Sequence, residues 1–228
     1  MEGNFSGFAI LFVTLLTLLP VMIVAYFCGC FNGAITVSKL FYRDDVRRHG
    51  SGNAGLTNFY RNYGARHALL VILCDMGKAA VAVGFAVLYL RLKGASAADG
   101  FDEYVKYLAG LFCIIGHMFP VTYRFKGGKG ILCSGTLLLC LDWRIALICW
   151  ALFLVLWLTT RYVSLGSVSA AAAFPILTQI IYNDFYLTVL SVLIAALVIF
   201  AHRENIVRLL HGTENKFHFH ISPPEEKP

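Results

Sequence analysis

Charge is scarce in this chain: Asp, Glu, Lys and Arg supply 14% of its 228 residues, against 58% hydrophobic. A soluble domain carries roughly 25% charged residues, so a water-solvated surface is excluded and the bilayer is the expected solvent. No basic stretch precedes the first apolar run, whose only early charge is Glu2, which speaks against a cleaved signal peptide. The seven cysteines are scattered, with Cys28 and Cys30 the one close pair and no CxxC. They read as small packing residues, and neither a disulfide framework, a zinc site nor any other metal or cofactor is expected. A nucleotide-binding P-loop is excluded at Lys129, because GxxxxGK[ST] needs glycine where Tyr123 stands and Ser or Thr where Gly130 stands. There is no GxSxG elbow for an acyl-enzyme. None of the seven histidines is followed five residues later by aspartate, so no histidine–aspartate dyad is available from local spacing.

What is present is a series of apolar runs. A spanning helix needs ~20 largely apolar residues, and seven runs qualify as candidates: Phe8 to Phe41, His67 to Leu92, Tyr104 to Val121, Ile131 to Leu141, Ile145 to Thr160, Val163 to Tyr182 and Phe185 to Ala201. The first holds 34 residues, about 51 Å at helical rise, so it overhangs the bilayer, tilts, or bends near Pro20. The fourth is short, and it and the fifth are expected either both to cross or neither. The expected fold is all-α: a polytopic membrane helix bundle of about seven transmembrane helices. It forms one domain over residues 1–228, with 213–228 a loosely ordered tail.

Lysine and arginine near helix ends stay cytoplasmic. Arg43, Arg47, Arg48, Arg61, Arg66, Arg124, Lys126, Lys129, Arg161, Arg203, Arg208, Lys216 and Lys227 all fall in connections of one side, thirteen of 19 basic residues. Only Arg91, Lys93, Lys106 and Arg144 fall on the other. Seven crossings then place the N-terminus outside and the C-terminus in the cytoplasm. The net charge of +6 follows from this topology and from anionic head groups or substrates, without nucleic acid.

Three polar clusters share that basic side. "HGSGNAGLTNFYRNYG", His49 to Gly64, combines glycines 50, 52 and 55 with Ser51, Asn53, Thr57 and Asn58. Glycines let a ligand approach the backbone, successive N–H groups can converge on an anion, and Arg61 offers a planar donor suited to phosphate. "GHMFPVTYRFKGGKG", Gly116 to Gly130, sets Lys126 and Lys129 around Gly127 and Gly128, again backbone donors beside cations. His117 by itself reads as a satisfied helix-end histidine. The third cluster is split between "RYVSLGS", ending at Ser167, and "HRENIVRLLHGTE", His202 to Glu214. Continued helically from the seventh run, His202 and Asn205 share a face and suit the orientation of a polar substrate at the bundle mouth. Inside the apolar runs stand Asp75 and Lys78. Each costs ~2.5–3.5 kcal/mol near a helix centre if unpaired, and at i, i+3 they neutralise each other, which favours a structural role. His218 and His220 lack partners for a metal site.

In this order and separated by these crossings, the three clusters resemble the motifs of the PlsY family, bacterial membrane glycerol-3-phosphate acyltransferases that use acyl phosphate as donor. The resemblance runs from about Val24 to Glu214, with Leu56 standing where the family usually has alanine. It implies transfer of a fatty acyl group to the sn-1 hydroxyl of glycerol 3-phosphate, giving lysophosphatidic acid and phosphate, the first step of phospholipid synthesis. The site would face the cytoplasm of a bacterial cell membrane, and the working unit would be a monomer. Carried over by motif, Ser51, Gly52 and Asn53 clasp the donor phosphate or the forming oxyanion. Arg61, Lys126 and Lys129, with Asn58, Gly127 and Gly128, bind phosphate, while Ser167, His202 and Asn205 hold glycerol 3-phosphate. Ser51, His202 and Asn205 stand closest to the chemistry. The proton of the attacking hydroxyl goes to His202 or to the acceptor's own phosphate. Acyl phosphate is already activated, so alignment, with ~7–11 kcal/mol available, outweighs a general base at roughly 3–5 kcal/mol. Two other readings fit the same letters: an acyltransferase using acyl-CoA or acyl carrier protein, and an anionic-metabolite transporter. The transporter is disfavoured because the polar residues gather on one face instead of breaking helices at the midplane.

Overall fold

In lipid every backbone polar group must find a partner within the protein, and this chain meets that demand with helices. A computed structural model describes residues 2–94 and 100–217. Among the described residues there are ten α-helices and no strand: α1 Glu2–Cys30, α2 Gly33–Tyr42, α3 Leu56–Tyr63, α4 Ala68–Leu92, α5 Phe101–Met118, α6 Ile131–Leu141, α7 Trp143–Thr160, α8 Val163–Tyr182, α9 Phe185–Ala201 and α10 Arg203–Leu210. Six of the seven apolar runs are each one helix, the first is divided between α1 and α2, and α3 and α10 are short amphipathic additions. Five units are long and apolar enough to cross a membrane, and α9 with α10, bent by 60°, makes a sixth. The count of about seven is reached only by adding α6, whose 11 residues reach about 16 Å at helical rise.

Pro20 does not interrupt the first span. It lies inside α1, and the interruption falls at Phe31–Asn32, between α1 and α2. The reason is where partners exist. Asn32 caps α2, its side chain accepting the Ile35 N–H at 3.0 Å. Asp75 Oδ1 accepts the Gly33 N–H at 3.1 Å, and Lys78 Nζ donates to the Phe31 carbonyl at 2.7 Å and to Asp75 at 2.8 Å. A carboxylate thus meets the positive N-terminus of α2 and an ammonium the negative C-terminus of α1. The Asp75–Lys78 pair satisfies a broken helix as well as itself.

Helices α1 and α5 pack backbone against backbone. A Cβ on Gly29 would strike the Cys113 carbonyl, and one on Gly116 the Tyr26 carbonyl, so these glycines let two backbones touch as small residues do in membrane interfaces. Around them one core runs through α1, α4, α5, α6, α7, α8 and α9, built from Tyr107, Ile114, Leu137, Ile145 and Phe174 among others. A second, smaller core of Ile35, Val46, Ala54, Phe59 and Val71 lies under the first polar cluster and ties it to α2 and α4.

The ends of the bundle differ. At one, Tyr104 donates to Asp184 at 2.6 Å, Tyr182 donates to Asp142 at 3.0 Å, and Arg91 pairs with Asp102. At the other the basic connections meet. Arg47 donates to the Tyr123 and Lys126 carbonyls at 3.1 and 3.0 Å, and the Phe217 N–H reaches the Arg161 carbonyl at 2.8 Å.

Candidate active site

The first polar loop folds around Asn58, which is buried to 3% exposure. Its Nδ2 donates to the carbonyls of Val46, His49 and Asn53, each at 3.0 Å, and its Oδ1 accepts the Ser51 N–H at 3.0 Å and the Asn62 amide at 3.1 Å. Asn58 therefore organises the loop, and its expected role as a direct phosphate donor does not fit this geometry. Gly52, at φ +69, gives its N–H to the His49 carbonyl at 3.0 Å. The backbone donors of Ser51 and Gly52 are thus spent within the loop. What the loop presents outward is the side chain of Ser51, which is exposed, with Asn53 half-buried beside it.

The second loop departs from expectation in the same way. The N–H groups of Gly127 and Gly128 donate to the Met118 and His117 carbonyls, both at 3.1 Å, so they close the C-terminal turn of α5 and are not directed at an anion. Their lack of side chains is what the fold needs: a Cβ on Gly128 would lie 2.5 Å from His117 Nε2 and closer still to the Ala54 carbonyl. Gly128 is where the second loop touches the first. The next residue, Lys129, is delivered to the site, whereas Lys126 is exposed and its carbonyl holds Arg47.

The third cluster supplies most of the converging side chains. The chain bends at His202 instead of continuing straight, yet His202 and Asn205 are both buried, at 3% and 8% exposure. His202 Nδ1 lies 2.8 Å from the Val198 carbonyl. A carbonyl only accepts, so the neutral ring carries its hydrogen on Nδ1 and leaves the Nε2 lone pair available. Lys129 Nζ donates to Asn205 Oδ1. Asn205 Nδ2 donates to Glu214 at 2.6 Å, Ser164 Oγ to Glu214 at 2.8 Å and Arg208 Nε to Glu214 at 2.7 Å. Burial pushes the Glu214 carboxyl up, but the hydrogen bonds from Asn205, Arg208 and Ser164 outweigh it and hold the group below its ordinary range. Burial, then the nearby Arg208 charge, pushes the Lys129 ammonium down. Burial likewise lowers the Arg61 guanidinium, with Glu214 opposing and Arg208 assisting.

Arg61 reaches this group from the first loop, donating to the carbonyls of Asn215 and Lys216 at 3.3 and 3.5 Å. Phe217 follows, 5.5 Å from the Tyr60 ring and 5.6 Å from the Trp157 ring. Residues 213–217 of the expected loose tail are therefore held across the site, while 218–228, with His218 and His220, lie outside the described residues. Ser167, buried, donates to the Val163 carbonyl of its own helix at 2.8 Å and borders an apolar cavity of about 270 Å³ between α6, α7, α8 and α9, lined by Leu132, Gly135, Trp150, Phe174, Ile194 and Val198 among others. Val198 is also the residue whose carbonyl holds His202, so the cavity lies beside the polar cluster. Arg61, Lys129, Ser167, His202 and Asn205 are brought together. Glu214, at the end of the third cluster, was given no role from sequence, although an acid among so many cations was its available signal.

A family model described as glycerol-3-phosphate acyltransferase matches residues 19–212 of this chain. The chain belongs to the glycerol-3-phosphate acyltransferase family. A relative of that description from Finegoldia magna is 42% identical over 196 residues, 85% of this chain and 93% of the relative. One from Fusobacterium nucleatum is 40% identical, covering 87% and 97%. Among solved structures, the chain is similar to PlsY, an integral membrane glycerol 3-phosphate acyltransferase, in its glycerol 3-phosphate form, with TM-score 0.78 and 32% identity over 88% of this chain and 96% of that one. The lysophosphatidic acid form of PlsY is similar at TM-score 0.75 and 31% identity, over 89% and 96%. The all-helical membrane architecture expected from the apolar runs is thus that of the family.

Proposed function

We propose that this protein transfers a fatty acyl group from acyl phosphate to the sn-1 hydroxyl of glycerol 3-phosphate, giving lysophosphatidic acid and inorganic phosphate. It acts as a monomer, at the cytoplasmic face of a bacterial cell membrane. The observation that carries the reading is the meeting of Lys129, Asn205, His202 and Arg61 beside an apolar cavity of about 270 Å³. Both phosphates find cations there, and the alkyl chain finds a compartment that water does not favour. Membership of the family supports the acceptor. The activated donor is supported by the lack of a GxSxG nucleophile in the sequence.

In the reaction the acceptor oxygen attacks the acyl carbon, the bond from that carbon to the phosphate oxygen breaks, and phosphate leaves with the electron pair. The hydroxyl proton passes to His202 Nε2 or to the acceptor's own phosphate. Arg61 and Lys129 neutralise the two phosphates, Asn205 orients the acceptor, and the Ser51 hydroxyl faces the donor or the forming oxyanion. Positioning of this kind supplies most of the acceleration.

Purified protein in detergent is given synthetic acyl phosphate and glycerol 3-phosphate, and released phosphate is measured beside tubes holding acyl-CoA or acyl carrier protein thioester. Phosphate release matched by lysophosphatidic acid supports the reading. Acylation from the thioester alone overturns the donor, and no acylation from any donor overturns the function.

A further inference from the structure

Two features stand apart from the groups that meet substrate: the interruption at Phe31–Asn32, and a buried polar triad of Asp75, Lys78 and His117, exposed by 1%, 6% and 2%. Both touch the substrate loops. Asn32, fully buried, uses its side-chain oxygen to cap α2 and its amide to donate to the Ala54 carbonyl at 3.0 Å, gripping the first loop. Lys78 uses its three hydrogens on Phe31, Asp75 and His117 Nδ1, the last at 2.6 Å. An ammonium only donates, so Nδ1 accepts and the neutral ring carries its hydrogen on Nε2, the edge that faces Gly128. Thr122 of the second loop adds a bond to the Cys30 carbonyl at 3.2 Å. The last carbonyls of α1 and the cap of α2 are therefore the common anchor of both loops, and Asn32 of that anchor holds the same Ala54 carbonyl that Gly128 meets.

We propose that Asn32, Lys78 and His117 are positioning residues: the break between α1 and α2 fixes the spacing between the first loop, which carries Ser51 and leads to Arg61, and the second, which carries Lys129. None of the three touches substrate. They act by holding Ala54 and Gly128 in register. This rests on the reading that both loops serve phosphate-bearing substrates.

Two mild substitutions separate positioning from folding. Asn32→Ser keeps a good N-cap but is too short to reach Ala54. His117→Asn leaves an oxygen near the place of Nδ1 to accept from Lys78, while removing the ring edge beside Gly128. Steady-state kinetics are read with whichever donor the wild type uses, so failure of the donor assignment shows in the wild type and failure of this proposal only in the variants. Melting in detergent is followed by exposure of the buried cysteine thiols. Displacement of a positioned group by about 1 Å costs about 10²-fold. Each variant is accordingly expected to lose about that much in kcat/KM, largely through a raised KM for a phosphate substrate, while keeping its melting temperature. The double variant is expected to lose less than the product of the single losses, because both release the same spacing. A fall in kcat alone, in proportion to lost folded protein, would assign the residues to folding and overturn the proposal. Wild-type kinetics in both variants would overturn it too.

Discussion

Gly128→Ala is the substitution whose effect can be worked most directly from the geometry. Its Cβ would stand 2.5 Å from His117 Nε2 and closer to the Ala54 carbonyl, against ordinary contact from 3.4 Å outward. His117 is held through Nδ1 by Lys78 at 2.6 Å, and Ala54 through its carbonyl by Asn32 at 3.0 Å, so neither neighbour yields freely. The second loop must lift by about 1 Å, which carries Lys129 away from Asn205 and costs about 10²-fold in rate, or ~2.7 kcal/mol of transition-state stabilisation. The assay is kcat/KM for acyl transfer to glycerol 3-phosphate in detergent, with a thermal melt of the same sample. Gly84→Ala serves as control: a Cβ there meets nothing within 4 Å, and activity should be unchanged with helix stability higher by ~0.5–1 kcal/mol. If Gly128→Ala kept kcat/KM within threefold of wild type, the contact between the loops would not govern the position of Lys129, and the reasoning would fail.

Further expectations concern other parts of the site. Arg61→Ala removes charge-assisted hydrogen bonds worth ~1.5–3 kcal/mol, so kcat/KM should fall about 10- to 150-fold with the melt little changed; a variant with full activity would exclude Arg61 from phosphate binding. Glu214, held below its ordinary value of 4.5, stabilises the fold above that pH, and the contribution is lost as pH falls through its lower folded-state value. Glu214→Gln should thus lower the melting temperature at neutral pH and flatten the decline as pH falls below 4.5, whereas parallel curves for the two proteins would show that the carboxylate is not the titrating anchor. Gly135→Leu directs a side chain into the apolar cavity from α6. Rates should hold for short acyl donors and fall for long ones, and an unaltered chain-length series would place the alkyl chain elsewhere.

The contrast between what the letters disclosed and what they did not has a physical pattern. Hydrophobicity along one chain is a local property, and the run Val163 to Tyr182 is helix α8 to the residue. For the long first run the letters leave overhang, tilt or a bend near Pro20 open, because proline is the strongest local helix breaker in it; the break sits at Phe31–Asn32, where Asp75 and Lys78 from a distant helix take up the freed backbone groups. Whether a glycine-rich loop has N–H groups to spare likewise depends on remote carbonyls. Those of Gly127 and Gly128 are taken by Met118 and His117, and Asn58 is consumed within its own loop. Charged and long polar side chains survive such losses because they reach past the backbone, as Lys129 does to Asn205 and Arg61 to the Asn215 and Lys216 carbonyls. Glu214 is marked in the letters only as an acid among cations, with no spacing to give it a role, and the three donors that close on it in the fold reveal its place.

The shortness of α6 carries one more consequence. It and α7 both start from the Asp142 end, yet α6 has 11 residues and α7 has 18, so the chain turns at Gly130 about 10 Å short of the level α7 attains. Lys129, the residue before that turn, is therefore set back from the end of α7 on the side where the basic connections meet. On the proposed function, a polar acceptor comes down to that level from the basic end, and the acylated product forms beside the apolar cavity of α6 to α9.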